Sequence, residues 1–207
     1  MYCHQCGAKA HGAYCSQCGA KLMVSQEKQG DSPRDWSEEI RYEVLLGNSR
    51  VRELIAQHAA RSGKKMSADA FLELCDKAFV PLAGVSLAKI GSIVQPISAA
   101  LGIKTGKMRK EFFSRPPGKV IVAVLCSLAR HGQVVHKVEQ GQDGCLLKAE
   151  LPSDMWSFAG DLLITIERQD QGTAVGASAV IKGQLYDWGK SKGILNELFN
   201  DIAGLPV

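Results

Sequence analysis

Residues 162–182, LLITIERQDQGTAVGASAVIK, decide the fold, because two apolar runs stand on either side of a short polar turn. Apolar residues recur at every second position from Leu162 to Ile166, which places them on one face of a β-strand. The turn, QDQG, ends in glycine, and the second run begins directly after it. The stretch therefore predicts an antiparallel hairpin with strands at 162–168 and 173–182.

Two further strands are predicted before this hairpin. Apolar and polar residues alternate at 134–139 and at 145–151, and turn residues rich in glycine, proline and aspartate separate the runs. Four successive strands with short connections favour an antiparallel meander.

One helix is predicted on each side of the strands. The first covers 120–129, and the second covers 187–202 with Asp187 as its N-cap. The residues expected to face the core are Ile121, Val124, Leu125 and Leu128 in the first helix, and Trp188, Leu195, Leu198, Phe199 and Ile202 in the second. The order helix, four strands, helix predicts an α+β domain at 113–207, with both helices on one face of the sheet.

The preceding region, 35–112, is expected to be helical. Asp35 and Glu38 have the spacing of a capping box, and apolar residues follow at helical intervals. Ser67 is placed to cap a later helix, which Pro81 ends. The helical region and the α+β domain are expected to share an interface, because no flexible linker separates them.

The composition of the whole chain is that of a globular protein. It has 207 residues, of which 45% are hydrophobic and 22% charged, and its formal net charge is +4. This mildly basic balance falls short of a chain built mainly to neutralise phosphates. The apolar stretch 78–103 contains Lys89, Gln95 and two prolines, so no transmembrane segment is predicted.

The N-terminal stretch YCHQCGAKAHGAYCSQCGAKL carries the clearest chemistry. Cys3 and Cys6 form one C-x-x-C-G unit, and Cys15 and Cys18 form a second. Glycine after each second cysteine permits a tight turn with positive φ. Four thiolates at about 2.3 Å form a tetrahedral site that suits zinc, and iron is the competing metal. Zinc is favoured, because the loop is short and nothing nearby indicates redox work.

This stretch resembles the short zinc ribbon found at the start of many bacterial proteins. The family pattern also has an aromatic residue before each cysteine pair and a trailing lysine, which Tyr2, Tyr14 and Lys21 match. The resemblance implies a zinc ribbon at 1–22 holding one structural zinc ion, and it does not by itself name the function. The polar segment 23–34 is expected to be a flexible linker, and the family carries diverse domains after the ribbon.

The remaining cysteines and the histidines give no sign of an enzyme. Cys75, Cys126 and Cys145 stand among apolar residues and are expected in the core. His58, His131 and His136 have no acidic or cysteine partner at catalytic spacing and are expected to be structural; the three are isolated in the sequence. A thiolate zinc site and the absence of a disulfide pattern favour a reducing compartment, the cytoplasm.

A basic run offers a nucleic-acid hypothesis. Its members are Lys104, Lys107, Arg109, Lys110, Arg115 and Lys119. With Phe112 and Phe113 as stacking surfaces, the run would contact phosphates and bases. The preferred interpretation is a solvated junction between two domains, with both phenylalanines packed inside.

These observations favour a zinc-binding, non-enzymatic interaction or adaptor protein with a protein partner. Two alternatives stay open. The order helix, sheet, helix is similar to START-like carriers, which hold an apolar ligand between sheet and helix. The basic run keeps a nucleic-acid-binding protein as the other alternative.

Overall fold

The chain divides into two compact units, Met1–Arg34 and Asp35–Val207. The computed structural model describes residues 6, 17–19, 35–62, 66–80, 107–151, 160–181 and 190–207. The linker predicted at 23–34 and most of the ribbon lie outside the described residues.

In its described residues, the larger unit is an α+β domain built on one sheet of six strands. In chain order the strands are β1 (Phe79–Val80), β2 (Lys107–Phe113), β3 (Val135–Gln140), β4 (Gly144–Leu151), β5 (Gly160–Gln169) and β6 (Gly172–Ile181). Their order across the sheet is β1-β3-β4-β5-β6-β2. Strands β3 to β6 form an antiparallel meander, β2 pairs antiparallel with β6, and β1 pairs parallel with β3.

The described helices are α1 (Tyr42–Leu46), α2 (Ser49–Ala60), α3 (Ala68–Ala78), α4 (Pro117–His131) and α5 (Lys190–Gly204). A 3-10 helix at Trp36–Glu38 precedes them. Within the part of the chain that the structure describes, no helix has both the length and the apolarity needed to cross a membrane.

The four-strand meander and the two flanking helices confirm the prediction for the C-terminal region. The prediction that residues up to 112 are helical is wrong at its end, because β2 is a strand. Side chains along this strand, KMRKEFF, point alternately to the two faces of the sheet. Because charged residues occur on both faces, the sequence lacks the apolar–polar alternation that predicts a strand. The sheet thus gains an edge strand on the far side of β6, and β1 extends its opposite edge.

Helix α4 occupies the centre of the domain. Proline stands at its first position, where a missing N–H costs nothing, and Gly132 ends it with φ +60°. The sequence predicted one apolar stripe on this helix, but every residue from Val120 to Ala129 is buried. The reason is that α2 and α5 pack against α4 as well as the sheet does.

The sheet contributes one face to this core. Leu147, Leu162 and Ile164 are fully buried there, as the strand alternation predicts. Helix α5 packs against β2 and β6, and its Phe199 ring stacks on Phe113 with centroids 6.2 Å apart. The inward residues predicted for α5, Leu195, Leu198, Phe199 and Ile202, are buried. Trp188 and Asp187 lie outside the described residues.

The N-terminal helical segment is tied to the sheet by specific hydrogen bonds. The Gln140 side chain accepts from the Tyr42 backbone N–H at 2.9 Å and donates to the Ile40 carbonyl at 3.2 Å. Ser67 caps α3 as predicted, accepting from Ala70 N–H. Asp35 also caps, but it starts the 3-10 helix rather than an α-helix, and it accepts from Ser37 N–H.

The 3-10 helix lies directly against the first turn of α4. A Cβ built on Gly118 would lie 2.0 Å from the Trp36 carbonyl oxygen and 2.7 Å from that of Ser37. Only glycine therefore permits this close approach.

We expect Gly118→Ala to lower the free energy of unfolding by about 1–3 kcal/mol, because backbone must shift to admit the methyl group. The matched control is Gly193→Ala in α5, where an added Cβ meets nothing within 4 Å. That change is expected to raise stability by about 0.5–1 kcal/mol. Urea unfolding measures both, and equal effects of the two substitutions would contradict the packing described for Gly118.

Candidate binding surface

The outer face of the sheet points away from the helices and carries the candidate binding surface. On this face, the paired strands β5, β6 and β2 present three rows of side chains in register. The rows are Leu163, Ser178 and Met108; Thr165, Gly176 and Lys110; and Glu167, Ala174 and Phe112. Small residues on the middle strand, β6, therefore lie between larger ones on either side.

Met108 and Phe112 are the two large apolar side chains that the domain exposes among its described residues. Met108 is 44% exposed and Phe112 48% exposed. Both lie on β2, an edge strand that pairs only with β6 in the described part of the chain. The sequence analysis predicted both phenylalanines inside, but only Phe113 is buried. Adjacent residues of a strand point to opposite faces, which is the signal that would have separated them.

The middle of this surface is a shallow groove floored by Gly176. A Cβ built on Gly176 would lie 2.7 Å from Thr165 Oγ1 and 3.6 Å from Lys110 Cγ. The aliphatic stem of Lys110 thus lies across the glycine. Thr165 donates its hydroxyl hydrogen to the Gly176 carbonyl at 3.3 Å, which satisfies this buried hydroxyl.

The groove has a volume of about 360 Å³ and mixed walls. Phe112 provides the apolar wall, and Glu167 and Gln169 provide polar groups on the side of β5. No described residue forms an ion pair with Lys110, and its side chain is exposed. We call this set, Met108, Lys110 and Phe112 with the floor at Gly176, the β2 surface.

The basic run predicted from the sequence does not form one patch. Arg109 points to the helical side, where it pairs with Glu111, donates to Asn196 Oδ1 at 2.7 Å and lies 4.7 Å from the Phe199 ring centroid. Arg115 donates to the Ile202 and Leu205 carbonyls at the end of α5.

Only Lys110 among the described side chains of the run is exposed on the outer face. Lys104 and the side chain of Lys107 lie outside the described residues.

A second cavity, of about 700 Å³, lies at one end of the sheet, where the β2–α4, β3–β4 and β5–β6 connections meet. Arg115 and Arg168 line it together with Asp143 and Asp170. Arg115 is engaged by α5, and Arg168 donates to the Glu38 carbonyl. Arg115 and Arg168 therefore stabilise the connections at this end of the sheet.

A serine, a histidine and an aspartate meet between α4 and α5, an arrangement the sequence analysis missed. Ser127 donates to Asp201 Oδ2 at 2.8 Å, and His131 Nε2 lies 3.0 Å from the same oxygen. The sequence showed no acidic partner for His131 at catalytic spacing, and the contact with Asp201 was not predicted. The partner is distant in sequence, so no local spacing reveals it.

The order of these groups does not match a nucleophilic triad. Both Ser127 and His131 bind the carboxylate, so the imidazole is not placed to take a proton from the serine hydroxyl. Ser127 is also only 1% exposed. The cluster therefore joins the two helices.

His58 of α2 is buried near this cluster. Its Nδ1 has no hydrogen-bond partner within the described structure. Burial lowers the pKa of His58 below its ordinary 6.5, and the positive charges of Arg61 and Arg130 lower it further, against the opposing effect of Asp201. The neutral imidazole is thus the form that the folded state favours.

The three remaining cysteines lie in the core, as predicted. Cys75, Cys126 and Cys145 are buried and form no disulfide. Burial raises the pKa of each thiol to about 12, so the thiols are protonated and poor nucleophiles at neutral pH.

Part of the predicted zinc ribbon is described. Cys6 and Cys18 are exposed, and Gln17 and Cys18 lie in a turn. Gly19 follows with φ +69°, the positive value predicted for the glycine after the second cysteine of a C-x-x-C-G unit. This turn fits a metal-binding knuckle. Cys3 and Cys15 lie outside the described residues.

The described interface between the sheet and the helices is filled by side chains. Leu125 on α4 and Leu147, Leu162 and Ile164 on the sheet are all fully buried in one contiguous core. The two cavities described above lie at the end and on the outer face of the sheet. An apolar ligand between sheet and helix therefore finds no support in the described residues.

Comparison of the chain with protein-family models, with curated proteins and with solved structures gives no significant match.

We expect the domain to lose stability as the pH falls below about 6.5, because the unfolded chain then protonates His58 while the folded chain resists. The contribution is fully present above that pH, and its slope is at most about 1.4 kcal/mol per pH unit. Urea unfolding between about pH 7 and pH 5 measures it. His58→Gln should flatten the slope, and an unchanged slope in that variant would contradict this account of His58.

Proposed function

We propose that this chain is a zinc-binding, non-enzymatic interaction protein, with the N-terminal ribbon as one docking module and the β2 surface as the second. The observation that carries the proposal is the pair of exposed apolar side chains, Met108 and Phe112, on the outer face of the edge strand. A protein partner is the class of ligand that such a surface fits.

The β2 surface has the composition of a small protein-binding site. Aromatic residues and methionine are enriched in protein interfaces, and a few such anchors carry most of the binding energy. Around Phe112, the groove residues Thr165, Glu167 and Gln169 supply a polar rim. A small-molecule site would be more enclosed than this open groove.

The polar clusters favour a non-enzymatic role. Asp201 lies between Ser127 and His131, which removes the relay that acyl transfer needs. The buried cysteines have raised thiol pKa values, which disfavours nucleophilic chemistry. Their reduced state also fits a reducing compartment such as the cytoplasm, which we propose as the location.

The ribbon would hold one zinc ion through Cys3, Cys6, Cys15 and Cys18. Four thiolates leave no open position, so the metal would stabilise the fold of a segment that has little core of its own. The positive φ of Gly19 supports this assignment. A nucleic-acid role is a weaker alternative, because Arg109 and Arg115 are engaged by α5.

We expect one equivalent of zinc per chain when the full-length protein is purified without chelator and measured by native mass spectrometry. Cys18→Ser should remove the metal, because three thiolates bind zinc far more weakly than four. Cys75→Ser, which changes a core thiol, is the matched control and should keep the metal. Unfolding of Asp35–Val207 should be unaffected by Cys18→Ser, because that unit is compact by itself. Iron in the purified chain, or retention of zinc by Cys18→Ser, would contradict the assignment.

We expect a photo-crosslinking amino acid placed at position 112 to capture a specific protein in cells of the native host, which mass spectrometry then identifies. Phe112→Ser should weaken binding of the purified partner about tenfold or more, because a central aromatic anchor is worth 2 kcal/mol or more. Phe112 is half exposed, so the change should leave the thermal unfolding midpoint nearly unaltered.

The control for that measurement is Lys192→Glu, a charge reversal at an exposed site on α5. It should leave partner affinity unchanged. Equal binding by Phe112→Ser and by the unsubstituted chain would contradict the β2 surface as a docking site.

A further inference from the structure

We propose that the β2 surface binds its partner by strand addition: an extended segment pairs with the edge of β2 that has no described neighbour, and it carries an acidic residue flanked, two positions away on each side, by apolar residues. This inference rests on the proposed function and specifies the partner's chemistry.

Strand β2 lies at one end of the strand order, and in the described part of the chain its only partner is β6. In an antiparallel ladder, alternate residues direct their N–H and C=O groups away from the existing partner. An edge strand of this length, seven residues, presents a row of such groups to an incoming strand.

The side chains along that edge alternate between apolar and basic. On the outer face, β2 presents Met108, Lys110 and Phe112 at alternate positions. Residues directly opposite each other on paired strands interact, so the incoming strand meets this series with its own alternate residues. Apolar residues suit Met108 and Phe112, and a carboxylate suits Lys110, which has no described ion-pair partner.

A second copy of this chain could also supply the strand that pairs with β2. Two identical antiparallel strands related by a two-fold axis place one residue opposite its own copy. The three central registers of β2 oppose Arg109, Lys110 or Glu111 to itself. Each register therefore places like charges opposite each other at its centre. The Lys110 register would also pair Arg109 with Glu111 and Met108 with Phe112, but it opposes Lys110 to itself, and a partner with a carboxylate at that position avoids this repulsion.

The inner face of β2 is compatible with such a partner. Arg109 and Glu111 are paired with each other and about two-thirds buried, beneath α5. Their charges are already balanced, so they place no charge requirement on the incoming strand. Selectivity then depends on the outer face, with Lys110 at its centre.

The test uses two palindromic peptides, TVTETVT and TVTKTVT, which present the same pattern in either orientation. They are titrated into isotope-labelled full-length protein, and amide signals are followed by NMR spectroscopy. The acidic peptide should bind about five- to tenfold more tightly than the basic one, with shifts and new hydrogen-exchange protection in β2. Lys110→Glu should reverse the preference, whereas Lys192→Glu, on α5, should preserve it.

Lys110→Gln keeps the test decisive if charge reversal disturbs the fold. It should bind both peptides with similar affinity. Strand addition is overturned if neither peptide protects β2 amides, or if the preference for the acidic peptide survives Lys110→Glu and Lys110→Gln. It is also overturned if the free chain sediments as a dimer and its β2 amides are protected in that dimer.

The outcome for strand addition is separable from that for the proposed function. A partner that crosslinks at position 112 and depends on Phe112, but protects no β2 amides, supports an interaction surface and overturns strand addition. A partner whose affinity ignores Phe112 overturns both.

Discussion

The architecture of the larger unit depends on complete burial of helix α4. A helix that is apolar on all sides must be covered on all sides, since exposed apolar area costs about 25 cal/mol per Å². The sheet covers one side, and α2, α5 and the 3-10 helix cover the rest. Gly118 makes the last contact possible by removing the side chain where the Trp36 carbonyl approaches. The helical segment and the α+β segment consequently share one contiguous core.

Because the described helices gather around α4, the sheet commits only one face to the core. Its other face is free to carry polar and functional groups, as antiparallel sheets commonly do. The outer face differs along its width. Lys137 pairs with Glu139 on β3, and Lys148 of β4 pairs with Asp161 of β5, whereas β2 carries Met108 and Phe112 beside Lys110, which has no described ion-pair partner. The same edge has only one described neighbour. Exposed apolar side chains and an edge with a single described neighbour coincide at β2, which is why it is proposed as the binding strand.

Sequence reasoning succeeded where periodicity is strong and local. Strands β3 to β6, helix α4 and the body of α5 were predicted because apolar residues recur there at fixed intervals, and the positive φ of Gly19 was predicted from a short motif. It failed where the deciding information is not local. Strand β2 has charged residues on both faces, because Arg109 and Glu111 on its inner face pair with each other and Arg109 donates to Asn196 of α5. The His131–Asp201 contact joins residues far apart in the chain. The exposure of Phe112 was not predicted, because it depends on β2 being a strand.

The central claim is that the outer edge of β2 is open in the free protein and available to a partner. Hydrogen exchange of the free full-length chain, resolved by residue, tests it most directly. Amides that β2 directs away from β6 should exchange much faster than those of β5, which has a paired strand on each side. Uniform protection of β2 amides, equal to that of β5, would show that the edge is already covered and would contradict the claim.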